Sequence, residues 1–261
     1  MTVPGVVGVT LGGSRARGTH TAESDIDLGL YYRPPLDLQQ LGEIARDTAG
    51  PDARVTSPGE WGPWVDGGAW LVIDNTPVDW IYRNIDRVHS SWAAARAGRF
   101  QFHFQVGHPL GVPDFAYAGE IALAVILADP TGELATLQEG TRDYPSALRR
   151  ALVAALWEAG FAIGNAKKAR ARTDTAYISG CLFRVVGLCA HALHGAAGRW
   201  LITEKGAVQA AHDLPNAPPE FALHAHRVLG HVGTTEPELD AAIADATELL
   251  AATTRACDAE G

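Results

Sequence analysis

Two short patterns near the start of the chain are typical of β-strands. Residues 6–11 (VVGVTL) form a β-branched run that ends at two glycines, and residues 25–32 (DIDLGLYY) alternate polar with apolar positions. Residues 36–50 instead carry apolar side chains at helical spacing and stop at a glycine–proline pair. This order predicts a small sheet with at least one covering helix.

The next segment predicts a β-hairpin. Residues 69–73 (AWLVI) and 78–83 (VDWIYR) flank the sequence DNTP, whose residue types favour a tight chain reversal. The two strands complete a mixed α/β pattern over the N-terminal part of the chain.

From about residue 115 the apolar spacing becomes helical. Residues 119–128 (GEIALAVILA) predict a helix that the turn DPTG closes. Further amphipathic helices are predicted at residues 148–159, 177–192, 219–231 and 236–256, the last with Thr235 as its N-cap. The predicted fold class is therefore α+β, a small β-sheet with helices followed by a C-terminal α-helical bundle. We place the two domains at residues 1–112 and 113–261.

The composition fits a globular protein. The 261 residues suit one large domain or two small ones, and 47% of them are apolar. The longest apolar run, residues 121–128, is far shorter than the roughly 20 residues that cross a bilayer, so we expect no membrane span. The N-terminus shows no export signal and the three cysteines form no CxxC pair, so we expect a cytoplasmic protein.

The net charge indicates which kinds of ligand this protein is expected to bind. A net charge of −9, from 30 acidic and 21 basic residues, argues against a protein that grips nucleic acid through its phosphates. It allows a small anionic substrate held by a few local donors and a metal ion. The oligomeric state stays open at this point.

Residues 12–28 (GGSRARGTHTAESDIDL) carry the candidate chemistry. The chain leaves the first predicted strand through a glycine pair that ends at Gly13, and Ser14 opens a short helix whose free N–H groups attract phosphate oxygens. The chain returns as a strand on which Asp25 and Asp27 point to the same face, because strand side chains alternate. Two such carboxylates repel each other unless a cation lies between them, and hard oxygen ligands suit Mg²⁺.

A third carboxylate is needed to hold a second metal ion or to accept the proton of an attacking hydroxyl. Asp79 is the candidate, since it lies on a predicted strand between Val78 and Trp80, where an acid is unexpected unless it faces a site. Two metal ions stabilise both the attacking and the leaving oxygen of a phosphoryl-type transfer.

Gly13 and Ser14, followed by ten residues and the sequence DIDL, resemble the signature of the polymerase-β-like nucleotidyltransferase superfamily. The longer string GSRARG…SDIDL is similar to the branch that contains antibiotic (aminoglycoside-type) and minimal nucleotidyltransferases. The resemblance covers roughly residues 6–83. It implies that the aspartate pair and a carboxylate matching Asp79 bind Mg²⁺, as two ions, and that the glycine–serine pair binds the β- and γ-phosphates of a nucleoside triphosphate.

The C-terminal half resembles the helical domains that follow this catalytic domain in bacterial antibiotic-type enzymes. The resemblance rests on WEAGFAIGNAKKARARTDTAYISGCLFRVVG and on WLITEKGAV. It implies that Lys205 reaches the triphosphate, and that Glu158 corresponds to the acid that acts as base near the acceptor hydroxyl. Arg17, in the glycine–serine segment, is a further candidate for nucleotide contact.

These features predict an enzyme of adenylyltransferase type. It would move a nucleoside monophosphate, AMP from ATP, onto a hydroxyl of a small acceptor such as an aminoglycoside-like antibiotic, with release of pyrophosphate. The acceptor, the choice between ATP and another nucleotide, and the identity of the general base stay open. The rivals are a protein adenylyltransferase of toxin–antitoxin type and a non-catalytic nucleotide-binding regulatory protein.

Several candidates also have a purely structural explanation. Asp79 then pairs with Arg83 or Arg54. The basic run at residues 167–172 is either a solvated helix end or a wall that faces polyphosphate or acceptor. Core packing and stacking on a base or acceptor ring are both open for the aromatic residues Trp61, Trp64, Trp70 and Tyr177.

Overall fold

The computed structural model describes residues 3–259, which divide into two compact units. The first unit contains the chain up to Ala95 together with Gln101–Asp143, and the second contains Arg96–Phe100 together with the chain from Tyr144 onward. The first unit is built around a β-sheet, whereas the second is helical. The predicted α+β fold class is confirmed.

The described part of the chain contains seven strands, all in the first unit. They are β1 (Val6–Leu11), β2 (Ile26–Tyr32), β3 (Gly68–Ile73), β4 (Thr76–Asn84), β5 (Phe102–Gln105), β6 (His108–Pro113) and β7 (Val125–Ala128). Five of them form one sheet in the order β3-β4-β2-β1-β7, while β5 and β6 form a separate hairpin. In the larger sheet β2 and β4 are parallel, and the other neighbours are antiparallel.

The strands predicted over the N-terminal part of the chain are confirmed. β1 spans the β-branched run, and β2 spans all but the first residue of the alternating segment. The predicted hairpin is β3–β4. Asp74 and Asn75 at its turn have φ angles of 50° and 60°, the positive values that a two-residue type I′ connection requires.

Helices cover both faces of the larger sheet. In chain order they are α1 (Gly13–Ala16), α2 (Leu38–Ala49), α3 (Ile85–Arg96), α4 (Ala116–Leu123) and α5 (Glu133–Gly140). The predicted helix at residues 36–50 is α2, and it packs on one face through Leu41 and Ala45. On the other face, Tyr31 of β2 packs with buried side chains of α3, α4 and α5. The sheet is therefore the middle layer of three.

The prediction of a helix at residues 119–128 is wrong for the second half of that segment. α4 ends at Leu123, and the remaining apolar residues form β7. Periodicity does not separate a short buried strand from a helix, whereas pairing with β1, including Thr10 opposite Ile126, supplies the backbone hydrogen bonds of a strand.

The first unit extends past the predicted domain division at residues 112 and 113. Because β7 is an edge strand of the sheet and α4 and α5 pack on it, residues up to Asp143 belong to the first unit. The division of the chain into functional domains at residues 1–112 and 113–261 stays a prediction.

The second unit is a bundle of helices, as predicted. Its helices are α6 (Ser146–Ala154), α7 (Leu156–Ala169), α8 (Thr175–Ala196), α9 (Ala207–His212), α10 (Phe221–Gly230) and α11 (Glu236–Asp258), with a 3₁₀ turn at Arg170–Arg172. The predicted N-cap of α11 is confirmed, because Thr235 and Glu238 form a capping box.

One helix of the second unit, α8, is long and apolar enough to cross a membrane by length and composition. It packs against α6, α7 and α11 within the bundle, and side chains such as Leu182, Val185 and Leu193 are fully buried there. A central helix of a bundle is apolar all round for this reason.

Candidate active site

The glycine turn between β1 and α1 lies directly against Asp27. The backbone N–H of Gly12 donates to the carbonyl oxygen of Asp27 at 2.8 Å, which ties the turn to β2. Gly13 has a φ of +61°, and a Cβ at this position would lie 1.7 Å from Oδ2 of Asp27. The Asp27 carboxylate thus occupies the space that a side chain at residue 13 would need.

The segment that leads to Asp25 is held by Arg15. Its guanidinium donates to the carbonyl oxygen of Ser24 at 2.7 Å and 3.2 Å and to that of Asp25 at 3.1 Å. Ser24 also accepts a hydrogen bond through Oγ from the backbone N–H of Thr21 at 2.9 Å. Arg15 therefore shapes the approach to β2, whereas Arg17 is exposed.

Two carboxylates lie side by side on one face of the sheet, and a third directly precedes one of the two strands. Asp27 on β2 and Asp79 on β4 are direct partners in the parallel pairing of these strands. Partners on neighbouring strands point to the same face, and Asp25 is the residue before β2 begins. Asp27 and Asp79 are half-buried, and Asp25 is exposed. The parallel pairing of β2 with β4 thus brings Asp79 beside the strand of the DIDL sequence.

This donor set fits a hard divalent cation. Carboxylate oxygens suit Mg²⁺, which takes oxygen ligands and is held by one or two carboxylates together with substrate phosphates. Because residue 13 is a glycine, the Asp27 carboxylate can lie directly against the turn between β1 and α1.

The same face is closed at its other end by an ion pair. Arg83 of β4 is buried, and its guanidinium binds the Glu120 carboxylate of α4 through two hydrogen bonds, one of them 2.7 Å long. Burial by itself lowers the pKa of Arg83, but Glu120 holds the net pKa above its ordinary value. Burial has the opposite effect on the neutral acid Tyr31 of β2, whose pKa it raises. The carboxylate partner of Arg83 in the structure is therefore Glu120.

An aromatic pair lies beside Asp79. Trp70 of β3 is the antiparallel partner of Asp79, and its indole stacks on Trp61 with ring centroids 4.3 Å apart and an interplanar angle of 12°. Trp70 is 71% exposed, so it does not pack in the core. Trp64 instead stacks on His103 and Tyr117.

Two candidates belong to the second unit. Glu158 on α7 accepts a hydrogen bond through Oε1 from Nε of Arg184 on α8 at 2.7 Å. Lys205 is exposed in the turn before α9, where its backbone N–H donates to Thr203. Glu158 thus has a clear structural partner, and the catalytic and phosphate-binding roles of Glu158 and Lys205 stay predictions.

One residue of the basic run at residues 167–172 forms an ion pair within the second unit. Arg170 binds Asp240 of α11 at 2.7 Å, and Lys167 and Arg170 line a cavity of about 550 Å³ together with Glu248. Tyr177 on α8 is half exposed.

A cluster of ligand-type side chains in the second unit was missed by the sequence patterns. His224 of α10 and Asp245 and Glu248 of α11 bring one ligand atom each within 4.8 Å of the others. Arg227 already binds both carboxylate oxygens of Asp245, at 2.9 Å and 3.1 Å. Asp245 therefore already has a partner, in an ion pair between two helices.

One comparison with known proteins bears on the chemistry of the first unit. Residues 2–53 match the family model of the nucleotidyltransferase domain. This segment contains Gly13, Ser14, Asp25 and Asp27, whereas Asp79 lies outside it. The match supports nucleotidyl transfer as the general activity.

The chain is also similar to a solved structure. This is the crystal structure of a nucleotidyltransferase-like protein from Exiguobacterium sibiricum 255-15, with 12% sequence identity and a TM-score of 0.46, over 95% of this chain and 69% of that chain. No curated protein matches this chain.

Proposed function

We propose that this protein is a magnesium-dependent nucleotidyltransferase that transfers a nucleoside monophosphate, AMP from ATP, onto a hydroxyl of a small acceptor. Pyrophosphate is the second product. The pairing of Asp27 with Asp79, next to the glycine turn, carries the proposal. It joins the segment that matches the family model to an acid outside that segment, as a transfer site with three carboxylates requires.

The nucleotide binds across the glycine turn. Backbone N–H groups of Gly13 and Ser14 and the Ser14 hydroxyl donate to the β- and γ-phosphate oxygens, and the exposed Arg17 adds a positive charge near them. Lys205 supplies a further contact to the triphosphate. Because Gly13 has no Cβ, the Asp27 carboxylate lies against the turn that binds the phosphates, where it shares a cation with them.

Asp25, Asp27 and Asp79 hold Mg²⁺, with two ions expected. When bound, Mg²⁺ neutralises charge on the phosphates and lowers the pKa of the attacking hydroxyl. Asp79 orients the acceptor hydroxyl and accepts its proton, with Glu158 as the alternative base. The acceptor oxygen forms a bond to the α-phosphorus in line with the bond to the β-phosphate oxygen, which breaks, and pyrophosphate leaves with those electrons.

The acceptor is an aminoglycoside-like molecule in this proposal, and the activity then confers antibiotic resistance. Such acceptors are cationic, which suits a chain with a net charge of −9 and a carboxylate-rich site. We also propose a cytoplasmic location.

The test is transfer from labelled ATP and GTP to a panel of hydroxyl-bearing acceptors and to protein extracts. The mass of the product and the release of pyrophosphate are measured. An adduct of AMP on a small acceptor that disappears in Asp27→Asn, but not in Asp47→Asn, supports the proposal. Asp47 is an exposed acid of α2 and serves as the control. Binding of Mg-ATP without pyrophosphate release from any acceptor would instead favour a regulatory protein.

A further inference from the structure

A stacked tryptophan pair continues the row of carboxylates across the sheet. Trp70 on β3 pairs with Asp79 on β4, and Asp79 pairs with Asp27 on β2. Because partners on neighbouring strands share a face, these three side chains stand side by side on one face. An aromatic surface therefore lies next to the carboxylate that we assign to the attacking hydroxyl.

The indole of Trp70 is open to solvent although it is large and apolar. It is 71% exposed, and it lies nearly parallel to Trp61, with the centroids 4.3 Å apart. Trp61 supports it from one side. The exposed part of Trp70 therefore presents a flat aromatic surface beside Asp79.

The segment that carries Trp61 is fixed by a buried glutamine. Gln105 of β5 donates through Nε2 to the carbonyl oxygen of Trp61 at 2.8 Å and accepts through Oε1 from the backbone N–H groups of Trp64 and Val65, both at 3.0 Å. Gln105 is only 3% exposed. These bonds hold the segment in one conformation without any ligand, and a preorganised surface loses little entropy on binding.

The residues at the start of β3, which follow this segment, are also held in place by hydrogen bonds. Thr56 accepts through Oγ1 from the backbone N–H of Gly68 at 2.8 Å and donates to its carbonyl oxygen at 3.1 Å. A Cβ at Gly68 would lie 1.7 Å from the carbonyl oxygen of Trp80 and 3.2 Å from the ring of Trp61. The glycine thus lets the Trp61 ring lie close to β3.

The chemistry of this row selects a cation. Tryptophan has the strongest cation–π attraction among the aromatic side chains, and Trp70 is exposed beside the acids of the site. A triphosphate carries the opposite charge, and a neutral sugar gains only the stacking contact. An amine-bearing ring gains both the stacking contact and the cation–π attraction of the indole.

We propose that Trp70, supported by Trp61, is the acceptor platform of this protein and that it binds a cationic, amine-bearing acceptor. The platform holds the ring of the acceptor so that one of its hydroxyls lies at Asp79. This inference rests on the proposed function and deepens it, because it names the residues that bind the acceptor and select it by its charge.

The experiment compares two probes that share one ring system, neamine and fully N-acetylated neamine, in which every amine is converted to an uncharged amide. Their dissociation constants are measured by calorimetric titration and by quenching of tryptophan fluorescence, with Mg²⁺ and α,β-methylene-ATP present and again without nucleotide. We expect the full chain to bind neamine at least tenfold more tightly than its acetylated form.

Three variants test the role of the indole. We expect Trp70→Ala to weaken neamine binding about tenfold, and Trp70→Phe to recover most of the loss because a smaller ring keeps the aromatic surface. Leu127→Ala is the matched control, since it removes an exposed apolar side chain (54% exposed) at the opposite edge of the same sheet. None of the three is expected to change the affinity for the nucleotide analogue by more than twofold.

The outcomes separate this inference from the proposed function. Equal binding of the two probes, no neamine binding, or an unchanged Trp70→Ala variant overturns the platform, while nucleotide binding and pyrophosphate release test the transferase independently. A loss of nucleotide affinity in Trp70→Ala means that the ring stacks on the base, which also overturns it. If no Mg-nucleotide binds, the proposed function fails, and the titration without nucleotide still decides whether Trp70 binds the cation.

Discussion

Asp27 holds its carboxylate at the place where a side chain of Gly13 would be. Oδ2 of Asp27 lies 1.7 Å from the position of a Cβ at residue 13. The two residues are therefore one functional unit, in which the turn supplies the space and the strand supplies the charge. Any larger residue at position 13 must displace the carboxylate, the turn or both.

Replacing Gly13 with alanine tests this relationship. Gly13→Ala displaces the Asp27 carboxylate, and a misplacement of about 1 Å at a reacting centre costs roughly a hundredfold in rate. We expect transfer to fall by at least that factor, measured as pyrophosphate release. The φ of +61° adds strain of about 1–2 kcal/mol, seen as a lower free energy of unfolding.

Gly18→Ala is the matched control for Gly13→Ala. Gly18 has a φ of +69°, so alanine is strained there to a similar extent, but a Cβ at this position meets nothing within 4 Å. The control should lose stability and keep its transfer rate. If both variants lose activity equally, backbone strain is the cause and the contact between Gly13 and Asp27 is not.

Asparagine in place of Asp25 or Asp27 keeps the shape and removes a charge that the cation needs. We expect transfer to fall several hundredfold, about 3.5–4 kcal/mol of lost transition-state stabilisation, in a steady-state assay with saturating Mg²⁺. Folding should persist, and the melting temperature without metal should not fall, because repulsion between the carboxylates is relieved. Turnover close to wild type in either variant would refute the assignment of the metal ligands.

Asp79→Asn separates the chemical step from nucleotide capture. In the proposed mechanism Asp79 acts on the attacking hydroxyl, so we expect the affinity for Mg-ATP to stay within roughly threefold while kcat falls strongly, the pattern of an interaction made in the transition state. Calorimetric titration of Mg-ATP and single-turnover rates measure the two effects. Normal turnover would move the search for the third acid to Asp74 or Glu158, and a complete loss of ATP binding would show that Asp79 also anchors the nucleotide.

The local features of the site could be predicted from the sequence because they depend on neighbours in the chain. The glycine pair, the alternation of Asp25 and Asp27 and the hairpin turn each have a local pattern. The hairpin pattern places Asp79 on a strand, and an acid between two apolar residues of a strand indicates a functional role. What the pattern did not contain is the parallel register that sets Asp79 directly opposite Asp27.

Features that depend on distant contacts could not be predicted. Arg15 has the same local pattern as a residue that binds a nucleotide, but its hydrogen bonds to the carbonyl oxygens of Ser24 and Asp25 make it part of the scaffold. The position of Trp61 depends on Gln105, which is 44 residues away in the chain. The strand β7 depends on an open edge of β1, which no local periodicity reveals.

Two buried histidines of α8 give the stability of the protein a pH dependence. Burial lowers the pKa of His191 to about 3, and the nearby His194 and Arg184 lower it further. Burial also lowers the pKa of His194. In the unfolded chain both titrate near 6.5, so between about pH 3 and 6.5 the unfolded state binds more protons than the folded state.

The free energy of unfolding should therefore fall as the pH drops below about 6.5, by up to about 1.4 kcal/mol per pH unit for each histidine that stays neutral when folded. Urea unfolding followed by circular dichroism from pH 4.5 to 7.5 measures this slope. His191→Gln removes one titrating group and should flatten the slope, whereas His212→Gln, at an exposed position of α9, should leave it unchanged. Because carboxylates contribute equally in both variants, the difference between them isolates His191. An identical slope in both would mean that His191 takes up its proton without unfolding, and that α8 admits a charge in the middle of the bundle.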